Sequence, residues 1–68
     1  MEIKMLQEVH IMSKRAGEPW MIRNRLGDLN FRARDERWSQ DRLTKEANKM
    51  VSRWMAVEPL TEFELSYQ

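Results

Sequence analysis

Between Ser39 and Pro59 the apolar residues recur at helical spacing, and no other stretch restricts the fold of this chain as strongly. At about 100° per residue, Leu43, Ala47, Met50, Val51, Trp54 and Val57 fall within about 120° of arc. Ser39 is suited to an N-cap, and Asp41 sits in the first turn, where the helix dipole favours an acid. Pro59 ends the run, because the residue before proline is disfavoured in helical geometry. The spacing predicts a helix over about 39–57 whose stripe has to be covered.

The nearest cover lies upstream. Pro19 suits the first turn of a helix, with Glu18 favourable beside it. Ile22, Leu26, Leu29 and Ala33 share one face spanning about 60° if the helix runs on. Gly27-Asp28 is the natural break, giving one piece over about 18–26 and another over about 30–36. The expectation is a mainly α fold, a small helical hairpin of about 18–36 packed on about 39–57.

The terminal segments read two ways. Ile3, Met5, Val9 and Ile11 alternate as a strand would, and the alternation is the better fit over residues 1–12. Met5, Val9, Met12 and Ala16 align as a helix would, but leave Ile3, Leu6 and Ile11 off the stripe. Near the C-terminus, Phe63, Leu65 and Tyr67 alternate with Glu62, Glu64 and Ser66, while Thr61 and Glu64 have the spacing of a capping box.

Sixty-eight residues make one small domain, 1–68, with a marginal core, since such a chain buries only about 60% of its unfolded surface. Cysteine is absent and His10 is the lone histidine, so neither a disulfide nor a Cys/His zinc site can supplement that core. Self-association is the remaining route, and a homodimer is expected. The composition fits a cytoplasmic chain with no membrane span and no signal-like leader. No nucleophile elbow, phosphate loop or metal-ligand cluster is present. His10, among apolar neighbours, is expected at a rim or on the surface. The chain is expected not to be an enzyme and to need no cofactor.

Two surfaces compete for function. The stretch IRNRLGDLNFRARDERW, residues 22–38, holds five arginines, but Asp28, Asp35 and Glu36 lie among them. Charges of both signs along a stripe keep a helix edge wet and do not track phosphates. A cleaner ridge lies downstream, where Arg42, Lys45, Lys49 and Arg53 fall within about 80° opposite the apolar stripe. With Arg32 and Arg34 it forms the candidate nucleic-acid surface. The charge distribution agrees, because residues 14–53 carry eleven Lys/Arg against six Asp/Glu, whereas 54–68 carry three acids and no Lys or Arg. A groove-reading N-terminal ribbon is disfavoured, since it would turn Glu2 and Glu8 to phosphate.

The second surface is aromatic. Trp20, Phe31 and Trp38 lie close together off the aliphatic stripe, with Met21 and Met55 beside the helices. Tryptophan, tyrosine, methionine and arginine are enriched where proteins meet. The leading expectation is a small regulator, inhibitor or adaptor acting by protein–protein binding through Trp20, Phe31, Trp38, Met21 and Met55. A DNA-binding regulator using the basic ridge is the alternative.

Overall fold

The computed structural model describes residues 5–68, and the fold is α+β. In chain order it comprises β1 (Val9–Lys14), β2 (Met21–Asn24), α1 (Gly27–Asp35), α2 (Gln40–Val57) and β3 (Glu62–Tyr67). The strands form one antiparallel sheet in the order β2-β1-β3. Helix α2 packs across β1 and β3, and α1 packs on α2. The expectation of a mainly α protein is therefore overturned by the three-stranded sheet.

Helix α2 forms as its sequence predicts. The Ser39 side chain accepts a hydrogen bond from the Arg42 backbone N–H at 3.1 Å, and Leu43, Ala47 and Val51 are buried. Val57 departs from the predicted stripe and is 79% exposed. The C-terminal segment takes the strand alternative as β3, and the Trp54 ring meets Phe63 with centroids 5.8 Å apart.

The segment expected as the first helix divides. Residues 18–20 are irregular, 21–24 are β2, and only Gly27–Asp35 is helical. Local chemistry explains this. Asn24 Oδ1 accepts the Leu26 N–H at 2.7 Å, a turn that competes with helix. Leu26 then takes a left-handed φ of 53°, which no α-helix can cross. The Gly27-Asp28 pair begins a helix where a break was expected. Ile22, assigned to the buried stripe, lies exposed on an edge strand.

The end of α1 reverses the chain. Trp38 N–H donates to Ala33 O at 2.9 Å and Arg37 N–H to Arg34 O at 3.3 Å, with Arg37 at φ 55°. This is the Schellman arrangement, in which the two residues after the cap fold back on the last turn. It returns Trp38 onto Ala33, so Trp38 is 7% exposed and belongs to the core with Val9, Ile11, Leu26, Leu43, Ala47 and Val51. A wheel drawn straight through 18–38 places it on the opposite side.

At the N-terminus the strand begins at Val9 and extends to Lys14, later than the alternation suggested; Ile3 lies outside the described residues. A turn follows, closed by Glu18 N–H to Arg15 O at 3.0 Å, with Gly17 at φ 80°. Residues 5–8 run irregularly beside α2, where Gln7 and Gln40 clasp each other. Gln7 N–H donates to Gln40 Oε1 at 2.8 Å, and Gln40 Nε2 donates to Gln7 O at 3.0 Å.

Asn30 joins the layers. Only 2% exposed, it accepts the Val9 N–H on Oδ1 at 2.9 Å, and its Nδ2 donates to Val9 O at 3.0 Å. The same Nδ2 lies 2.9 Å from Arg25 O and 3.0 Å from Leu26 O. Strand β2 has turned away by this point, and the side-chain amide replaces a strand backbone as partner to β1. Asn30→Ala should cost about 3 kcal/mol in urea unfolding, because a buried N–H and C=O lose partners at about 1–3 kcal/mol each. A loss under about 1 kcal/mol would show that Asn30 is not needed for this pairing.

Candidate functional site

Helix α2 lies against one face of the sheet, and α1 packs on α2 and adds Ala33 to the same core. Val9, Ile11, Phe63 and Leu65 belong to that helix-facing side. Strand alternation turns His10, Met12, Lys14, Glu62, Glu64 and Ser66 to the other face. Trp20, just before β2, covers part of it. Its ring lies 5.5 Å from Lys14 Nζ, and Lys14 also pairs with Glu62 at 3.8 Å. Trp20 shares a hollow of about 210 Å³ with Met12, Glu64, Leu65 and Ser66. Trp20 is 39% exposed, and Ile22, opposite Met12, is similarly exposed. The result is an apolar centre with charges at its margin.

His10 belongs to this face but is buried, contrary to the surface position expected for it. Its Nε2 lies 3.7 Å from Glu8 Oε2, and its Nδ1 has no hydrogen-bond partner among the described residues. The other oxygen of Glu8 takes Arg34 Nη2 at 3.0 Å. Arg34 thereby joins the N-terminal segment to α1 and does not stand with the basic ridge.

The predicted aromatic surface does not hold together. Trp20 is on the uncovered sheet face, Phe31 stands 67% exposed on the outer side of α1, and Trp38 is in the core. Met21 is exposed at the outer edge strand, and Met55 is exposed near the end of α2. Trp38 is withdrawn as an interface residue, because it is buried in the core.

Two guanidinium groups lie against the ring. Arg42 stands 4.2 Å and Arg32 5.3 Å from the Trp38 ring centroid. Glu36 completes the group, accepting from Arg32 Nε at 2.9 Å and from Trp38 Nε1 at 3.3 Å. The Arg32 hydrogen bond, helped by the indole N–H and by the charges of Arg32 and Arg42, holds the Glu36 carboxyl below the ordinary glutamate range. The sequence does show the ingredients of this cluster, but only the reversal at Arg37 assembles it.

The ridge of α2 exists as predicted in geometry. Arg42, Lys45, Lys49 and Arg53 are exposed along one face, away from the sheet. Lys49 pairs with Glu46 at 3.1 Å, and Arg42 is engaged with Trp38. Lys45 and Arg53 make no ion pair among the described residues. A fifth cation, Arg23, was not singled out in sequence. It lies over Trp54 at 5.4 Å and Phe63 at 6.0 Å and pairs with Glu58, sealing the end of the core between β2 and α2.

Comparison with protein-family models, curated proteins and solved structures finds no match for this chain. No helix among the described residues is long and apolar enough to cross a membrane.

The Glu36 cluster has a definite pH signature. A carboxyl depressed in the folded state contributes stability above its unfolded pKa and loses it as pH falls through the folded one. In a carboxyl-carbon NMR titration Glu36 should titrate below ordinary glutamates, and Arg32→Ala should raise its midpoint. An unmoved midpoint would mean that Arg32 does not hold the carboxylate in solution.

Proposed function

We propose that the protein is a small non-enzymatic regulator, inhibitor or adaptor that docks on another protein through the uncovered face of its sheet. Trp20 carries this reading. A large aromatic lies partly exposed beside Met12 and Ile22, on a sheet face that neither helix packs against, with Lys14, Glu62 and Glu64 around it. An apolar, aromatic centre inside a charged rim is the anatomy of a protein interface. Tryptophan is enriched among the few residues that dominate such contacts.

The test compares the wild-type chain and Trp20→Ala as baits in nuclease-treated lysate, followed by calorimetric titration with the purified captured protein. Trp20→Ala should melt close to wild type but lose at least about 2 kcal/mol of binding, roughly thirtyfold in Kd. Equal affinity of the two baits for every captured protein would remove Trp20 as the anchor.

A second reading, DNA binding, is favoured by one observation. The ridge cations are exposed on a single face of α2, and Arg32 and Arg42 both lie against the Trp38 ring near its N-terminal end. Arg34 is not part of this array. Duplex DNA should then bind with log K falling by about 0.9 per log unit of salt for each phosphate contact neutralised. The double variant Lys45→Glu/Arg53→Glu should flatten that slope. Absence of any retention on duplex DNA at low salt would eliminate the reading.

A further inference from the structure

The two edges of the sheet differ. On β2 the pairing Ile11↔Asn24 gives way to Met12↔Ile22, leaving Arg23 as an extra residue in the ladder. A short, bulged strand is a common way to make an edge unfit for further pairing. Strand β3 has no such defence. Its register with β1 runs unbroken from Val9↔Tyr67 to Lys14↔Glu62, without proline, glycine or bulge. Gln68 N–H donates to Glu8 O at 2.9 Å, so alternation turns the N–H and C=O groups of Phe63, Leu65 and Tyr67 to the open side.

Helix α2 continues this edge upward. The Thr44 hydroxyl and Tyr67 Oη lie 2.7 Å apart, which places the Thr44 flank of α2 above β3. Met50, by contrast, lines a hollow with Leu29 and Arg32 on the α1 side. Asn48 and Met55 follow Thr44 along this flank, with the core residue Val51 at its inner margin, at the four-, three- and four-residue steps of a helix–helix seam. This flank carries no charge, although 34% of the chain is charged. Met55 on it is 54% exposed.

We propose that the occupant of this edge is a second copy of the chain, its β3 antiparallel to this one about a two-fold axis through Leu65. Charge excludes one central register. A two-fold at Glu64 would set two glutamates directly opposite, which is unfavourable. A two-fold at Leu65 sets Leu65 against Leu65, Phe63 against Tyr67, and Glu64 against Ser66. Both copies then keep their helices on one face of a six-stranded sheet. Spacing agrees. Strands stand about 4.8 Å apart, and α2 lies over both β1 and β3, so the two α2 helices would run about 10 Å apart, the distance of packed helices. This edge borders the Trp20 face, whose hollow includes Glu64 and Ser66, but the self-association is read by sedimentation and the docking by Trp20→Ala, so either proposal can fail alone.

Sedimentation equilibrium of the full chain, monomer mass 8.3 kDa, tests it. Wild type should give twice that mass. Ser66→Glu opposes Glu64 of the second copy and should weaken the dimer about tenfold with its thermal melt measured in parallel to confirm folding. Adding Glu64→Lys to Ser66→Glu should restore it, which a two-fold at Glu64 would not allow, because two lysines would then meet. Met55→Lys should weaken it as well. A wild-type monomer at the highest soluble concentration overturns the proposal. So does a dimer indifferent to Ser66→Glu and Met55→Lys, or one that the double variant fails to restore.

Discussion

Everything in this fold hangs on how the backbone of Val9 is satisfied. β1 is the central strand, so both its sides need partners, and a buried N–H or C=O without one costs about 1–3 kcal/mol. β3 supplies one side along its whole length. β2 is four residues long and leaves the sheet after Asn24. Asn30 reaches from α1 to fill the gap, accepting the Val9 N–H and donating to its carbonyl. The same amide reaches the carbonyls of Arg25 and Leu26, so it also fixes the start of α1. One side chain thereby ties sheet, connection and helix together, and the placement of Leu26 and Ala33 in the core follows from it.

That arrangement decides which surfaces remain for function. With α2 on one face and α1 packed on α2, the other face of the sheet keeps Trp20, Met12 and Ile22. The cations of α2 project on the far side of the molecule. The apolar and basic surfaces are thus separated by the body of the protein, and a partner for one need not exclude a partner for the other. Arginine has further duties besides presenting charge. Arg23 covers Trp54 and Phe63, and Arg32 and Arg42 cover Trp38. A guanidinium plane can shield an aromatic ring while its rim stays wet. Arginine-rich composition is accordingly a weak guide to nucleic-acid binding in this chain.

The aromatic set shows how far a one-dimensional pattern carries. Trp20, Phe31 and Trp38 share a side of a wheel only if residues 18–38 form one straight helix. Two left-handed residues, Leu26 and Arg37, divide that segment. Neither is glycine or asparagine, the residues that usually announce such a conformation, so no local signal marks them. Trp20 is placed by the β1–β2 hairpin, Phe31 by α1, and Trp38 by the reversal after Glu36. The basic ridge was legible because it lies inside one uninterrupted helix.

By itself the sequence determined α2, its Ser39 cap and its end before Pro59, and it offered β3 as one of two alternatives. Each depends on neighbours within a few residues, through capping, side-chain periodicity or the restriction proline places on the residue before it. Only the tertiary structure decided that Met21–Asn24 is a strand, that Trp38 is core, and that Asn30 is the central polar residue. The pairing of β1 with two distant segments and the two-way hydrogen bonding of Val9 by an amide 21 residues away are long-range conditions. Helical spacing at Ile22 and Leu26 could not withstand them, because a buried strand without partners costs more than local helix preference returns.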